Sequence, residues 1–194
     1  MDIVKSVVVQ GIKGGVGNTT IVANLAVALV NLGYRVICID SCQSNELKLH
    51  FGNPLSHIEG LYKALIEKNH WNDTSLQDDS DVILFPFGQL EQQQFSKIES
   101  IENLDFLFRE IDFDKIPTVI LVDFPHYLDV ETHKPFSQID ANIISSSSDI
   151  ACVSKLTQKL DENSREMLII NRFSPQRELQ SELHTLLSAG FNRE

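Results

Sequence analysis

Val7-Val8-Val9-Gln10-Gly11-Ile12-Lys13-Gly14-Gly15-Val16-Gly17-Asn18-Thr19-Thr20 is the stretch that decides the fold. Ser6 to Val9 is a compact run rich in β-branched residues that ends in Gln10-Gly11, the pattern of a buried parallel strand feeding a turn. From about Thr19 to Leu32, the residues Ile21, Leu25, Ala28, Leu29 and Leu32 recur at helical spacing, and Gly33 supplies a C-terminal stop. The glycine loop therefore lies between a strand and a helix N-terminus, where backbone N–H groups and the helix dipole attract phosphate. Glycine permits positive φ and keeps a Cβ from blocking the approach of a phosphate. Thr19, opening the helix, brings a hydroxyl suited to Mg²⁺.

Working outward, Arg35 to Asp40 (RVICID) is a second buried strand that closes on a carboxylate, so the first 40 residues form one βαβ unit with a right-handed crossover. Helices are expected over Ile58 to Lys68, Ile101 to Glu110 and Glu178 to Ser188. Strands are expected at Asp81 to Phe87 (DVILFPF), Thr118 to Asp123 (TVILVD), Asn142 to Ile144 and Met167 to Asn171 (MLIIN). This alternation is that of a doubly wound α/β fold, a mostly parallel sheet flanked by helices, in one domain spanning residues 1–194. Trp71 to Asp81, Gln89 to Ser96 and the serine run Ser145 to Ser148 read as surface loops.

Composition narrows the function. With 42% hydrophobic and 22% charged residues, the chain is an ordinary globular sequence rather than a disordered or fibrous one. Its formal net charge of −11 disfavours bulk attraction to nucleic acid or anionic lipid. Residues 1–40 run against that trend, with Lys5, Lys13 and Arg35 against Asp2 and Asp40, which directs an anionic ligand to the N-terminal end. Cys38, Cys42 and Cys152 have no paired spacing and suit a reducing cytoplasm. The most apolar stretch, Ile21 to Leu32, is too short to span a bilayer and is broken by Asn24 and Asn31.

KGGVGNTT resembles the deviant Walker A loop KGGxGK(S/T) of the ParA/MinD group of P-loop ATPases. Asp40 stands where that group keeps its first switch aspartate, Asp123 in VILVDFP where it keeps the Walker B aspartate, and Asn171 where relatives often place an adenine-contacting asparagine. Within the group, the run from Asp40 through Cys42 and the segments Trp71-Asn72-Asp73 and Leu84 to Leu90 are most similar to the BcsQ branch, accessory proteins of bacterial cellulose biosynthesis and secretion. The resemblance implies ATP and Mg²⁺ as cofactors, with Lys13, Gly14, Gly15, Val16, Gly17, Asn18, Thr19, Thr20 and Asn171 around the nucleotide and Thr19, Asp40 and Asp123 around the metal. It also implies a homodimer that forms with nucleotide, in which each Lys13 reaches the partner's phosphates, and protein partners in a polysaccharide synthase or secretion complex. A cytoplasmic protein recruited by such partners to the inner membrane or a cell pole is the corresponding expectation.

Two departures from the group's pattern shape the expected chemistry. The Walker lysine is replaced by Asn18, which removes a charge-assisted contact worth roughly 1.5 to 3 kcal/mol, while the backbone cradle, Mg²⁺ and Lys13 remain and Asn18 can donate neutral hydrogen bonds. Cys42 takes the place of the second switch aspartate, so no catalytic residue is expected, and losing a positioned acid or base costs on the order of 10² to 10⁴ in rate. Slow or absent hydrolysis follows. The group usually continues for another strand and helix beyond the last ones read here, so the chain, which stops at Glu194, is expected to be short at its C-terminus, by nature or by trimming. Two other readings compete. One is a plasmid or DNA partition ATPase, which the net charge opposes. The other is a nucleotide-free scaffold, which Asn18 and Cys42 favour.

Overall fold

The computed structural model describes residues 3–77, 79–101, 103–159 and 166–191. Those residues build a seven-stranded sheet of order β3-β4-β2-β5-β1-β6-β7. Its strands are β1 (Val4–Gly11), β2 (Arg35–Asp40), β3 (Leu76–Gln77), β4 (Ile83–Phe85), β5 (Thr118–Phe124), β6 (Ala141–Ser147) and β7 (Met167–Asn171). All pairings are parallel except that of the short edge strand β3 with β4. The helices are α1 (Asn18–Asn31), α2 (Leu47–His50), α3 (Leu61–Glu67), α4 (Phe106–Glu110), α5 (Ile150–Lys159) and α6 (Glu178–Phe191).

The sheet is buried on both faces, and the period-2 alternation of its central strands sorts their side chains into two cores. Val36 and Cys38 of β2 and Val119 and Leu121 of β5 face α1, where Val22, Ala23 and Ala26 pack against them. Ile37, Ile39, Ile120 and Val122 point the other way, into a layer made by Leu61, Phe85, Phe87, Leu107 and Phe136. All seven residues of β5 are buried, as a central strand covered on both sides requires. Among the described residues no helix is long and apolar enough to cross a membrane.

Several expectations are corrected. The serine run is no surface loop: Ser145 to Ser147 complete β6, and Ser145 and Ser146 are fully buried. Their hydroxyls find acceptors inside the protein, so a polar stretch serves as sheet interior. Helix α5 follows directly and was not foreseen, although Asp149 is its N-cap, accepting the Cys152 N–H at 3.0 Å, and Cys152 and Leu156 bury at i, i+4 spacing. The helix expected from Ile101 shrinks to α4, because the Leu104 N–H is taken by the Pro135 carbonyl and ties the entry to another segment. Trp71–Thr74 forms a 3₁₀ turn within a stretch read as a loop, and Gln92–Ser100 forms another that begins in one and runs past it.

Candidate functional site

The parallel register brings the chemistry to one edge of the sheet. Asp40 of β2 lies directly opposite Asp123 of β5, and Asp123 opposite Val9 of β1, so both carboxylates stand level with the loop that leaves β1. Ligands of doubly wound folds bind at this carboxyl edge. The loop turns through Gly15 at φ 78° and Gly17 at φ 88°, a left-handed conformation that favours glycine. A Cβ on Gly14 would stand 3.2 Å from the His126 ring, and one on Gly17 2.5 Å from the Asn171 side-chain nitrogen, so neighbours close on the loop from two sides.

Above it opens a cleft of about 470 Å³, lined by Lys13, Gly14, Gly15, Gly17, Asn18, Thr19, Thr20 and Asp123 among the residues expected from sequence. Val16 points into the core, 1% exposed, and supplies backbone alone. Asp40 lies beneath the cleft, where its two carboxylate oxygens accept the backbone N–H groups of Cys42 (2.9 Å) and Leu47 (3.1 Å) and so shape the turn after β2. Asn171 does not line the cleft wall: its side-chain nitrogen donates to the Val16 carbonyl at 2.9 Å and clamps the loop from behind.

The Asn18 side chain turns down toward the sheet. Its amide nitrogen donates to the Val9 carbonyl (2.9 Å) and to Asp123 Oδ1 (2.6 Å), and its oxygen accepts the Ser145 hydroxyl at 2.8 Å. All three contacts are internal, so the side chain that replaces the usual lysine acts first on Asp123. Lys13 forms an ion pair with Asp149 of its own chain at 3.1 Å. The hydrogen bond that the ammonium donates to Asp149 raises its pKa.

A divalent cation fits the paired carboxylates. Asp123 Oδ2 is buried with no partner in hydrogen-bond geometry, an orphan acceptor beside the cleft, with the Thr19 hydroxyl near enough to the carboxyl to favour its ionised form. Burial, followed by the neighbouring Asp123 carboxylate, pushes Asp40 up to about 8, and burial raises Asp123 as well. Burial opposes the ionised form of both acids, and a bound Mg²⁺ would favour it, adding to the electrostatic contacts of Lys48 with Asp40 and of His50 with Asp123. Asp40, Cys42 and Asp123 each offer an atom within 4.8 Å of the others. The oxygens suit magnesium and the thiol does not. Burial drives the Cys42 thiol pKa far up, so this position offers neither a thiolate nor a general base.

Residues outside the expected set also line the cleft: Glu46 and His50 from the α2 region, His126 and Tyr127 after β5, and Arg172 after β7. Ser145 escaped notice inside its serine run, although its place in a strand next to the loop strand could have been argued from Ile143-Ile144 before it.

The family model for cellulose biosynthesis protein BcsQ matches residues 4–193. The cellulose biosynthesis protein BcsQ of Escherichia coli (strain K12) is 31% identical over 181 residues, 91% of this chain and 72% of that one. Among solved structures, cobyrinic acid a,c-diamide synthase from Mycobacterium smegmatis with a bound ATP analog and magnesium superposes with a TM-score of 0.71 at 19% identity, covering 98% of this chain and 83% of that one. The septum site-determining protein MinD from Pyrococcus horikoshii, complexed with Mg-ADP, gives a TM-score of 0.69 at 22% identity, covering 93% and 77%. These two share the fold. The glycine loop, both aspartates and the strands that set them level all fall within the matched span, and the chain belongs to the BcsQ family.

Proposed function

We propose that the chain is an ATP-controlled accessory protein of bacterial cellulose biosynthesis, which binds Mg·ATP in the cleft, pairs with a second copy when loaded, and hydrolyses ATP slowly or not at all. The observation that carries the nucleotide reading is the orphan Asp123 Oδ2 beside a glycine loop at a helix N-terminus. The Escherichia coli relative's name supplies the cellulose context, and the magnesium nucleotides in two proteins of the same fold support the choice of ligand.

In this reading the backbone N–H groups from Gly14 to Thr20 wrap the phosphates. Thr19, Asp123 and Asp40 would hold the magnesium, which when bound neutralises the two buried acids and draws negative charge off the phosphates. Lys13 leaves Asp149 for the phosphates of the second copy, so loading and pairing are coupled through one ammonium group. Cys42 neither orients nor deprotonates water, which keeps the loaded state long-lived. A switch of this kind acts through protein partners of a polysaccharide synthase, recruited to it from the cytoplasm.

Titration calorimetry with ATP in the presence of magnesium, beside light scattering on the same samples, tests the proposal. One nucleotide per chain, lost with a chelator, and a doubled mass with ATP are expected. No heat at millimolar nucleotide would instead favour the scaffold reading, to which the internally saturated Asn18 amide lends weight.

A further inference from the structure

We infer that Arg172 is a phosphate-binding residue of the cleft and supplies the positive charge that Asn18 no longer does; the inference rests on the nucleotide reading above. The arginine follows β7 directly, and its guanidinium donates from Nη1 to the Gly15 carbonyl at 3.2 Å, at the crest of the glycine loop. Another guanidinium nitrogen, Nη2, stands 3.9 Å from where a Cβ on Gly17 would be, so the group spans the loop. It also lines the cleft wall.

The backbone here is held for that placement. Arg172 has φ 57°, a left-handed conformation uncommon for a long side chain, and its N–H is fixed by Asn171 Oδ1 at 2.9 Å. Asn171 is itself anchored to the Val16 carbonyl, so the turn and the loop are one bonded unit. A sparsely populated backbone state maintained beside a ligand cleft points to a function for the side chain that it aims.

The charges of the cleft point the same way. Lys13 is engaged by Asp149, whereas Arg172 makes no ion pair with a carboxylate among the described residues. A guanidinium has five N–H donors in a planar fork matched to phosphate oxygens, and a single hydrogen bond to Gly15 leaves most of them free. The ligand class is therefore a nucleoside di- or triphosphate, and Arg172 distinguishes it from the nucleoside by charge.

The experiment compares wild type, Arg172→Gln and Arg172→Lys by nucleotide titration at several salt concentrations, with thermal melting of each free protein. The expected result for Arg172→Gln is a loss on the order of 10- to 100-fold in ATP and ADP affinity, with a shallower dependence of affinity on salt. Melting should be unchanged, and Arg172→Lys should recover part of the affinity. Wild-type affinity and salt dependence in Arg172→Gln would overturn this assignment alone. Weaker binding with an unaltered salt dependence would also overturn it, since that is the mark of a loop brace. A wild-type chain that binds no nucleotide at all would sink both this assignment and the function on which it rests.

Discussion

Replacing Asn18 with Ala removes a side chain that joins β1, β5 and β6 beneath the cleft. It takes a donor from the Asp123 carboxyl, at 2.6 Å, a donor from the Val9 carbonyl and an acceptor from the Ser145 hydroxyl. A hydrogen bond to a charged group contributes about 1.5 to 3 kcal/mol and each neutral one about 1 kcal/mol, so the gross loss is about 3.5 to 5 kcal/mol. Asn18 is half-buried, so cleft water can replace part of what is lost. Alanine also recovers about 0.5 kcal/mol of helix propensity. The expected net destabilisation is about 2 to 3 kcal/mol, measured by urea unfolding with an unchanged m value. In a chain of this size that lowers the melting temperature by about 5 to 10 °C. Ser145→Ala should cost about 1 kcal/mol, and the double variant should lose less than the sum, because the two residues share a bond. Stability within about 0.5 kcal/mol of wild type, the spread of a neutral surface change, would refute the reasoning. If ATP affinity then fell, the Asn18 amide would be serving the phosphates rather than Asp123.

Gly17→Ala should destabilise the chain by about 1 to 3 kcal/mol and weaken nucleotide binding, since alanine at φ 88° is strained and its Cβ would displace the Asn171 amide from the loop. Denaturant midpoints beside nucleotide titration check both effects. Asp149→Asn tests the acid side of stability. The Ser147 hydroxyl, then the Cys152 N–H and the Lys13 ammonium, hold the Asp149 pKa well below the ordinary range. The folded-state pKa is depressed, so its contribution is present above the unfolded value of about 3.9 and is lost as pH falls through the folded one. Melting curves should show wild type ahead of Asp149→Asn at neutral pH, with the gap closing below about pH 4. A gap that widened on acidification would contradict the assigned sign.

The loop, α1 and the strands ending in Asp40 and Asp123 were legible because local rules suffice for them. A β-branched run, glycines at the turn and a periodic apolar stripe each constrain their own neighbourhood. The serine run was misread for the opposite reason. Serine has no local preference that separates a solvated loop from a buried strand, and β6 exists because β1 and β7 flank it with ladder partners. Arg172 was passed over for a similar reason, since only the chain reversal at Asn171 brings it over Gly15.

From sequence alone came the doubly wound fold, the glycine loop between strand and helix and the two strand-terminal acids, all properties of residue type and order. Tertiary structure decided what those residues do to one another. Register set Asp40 opposite Asp123, and burial then left Asp123 Oδ2 without a partner. The packing of β1 between β5 and β6 gave the Asn18 side chain internal partners on all three strands. The physical reason is that a side chain's role depends on which groups compete for its hydrogen bonds, and those competitors lie up to 127 residues away along the chain.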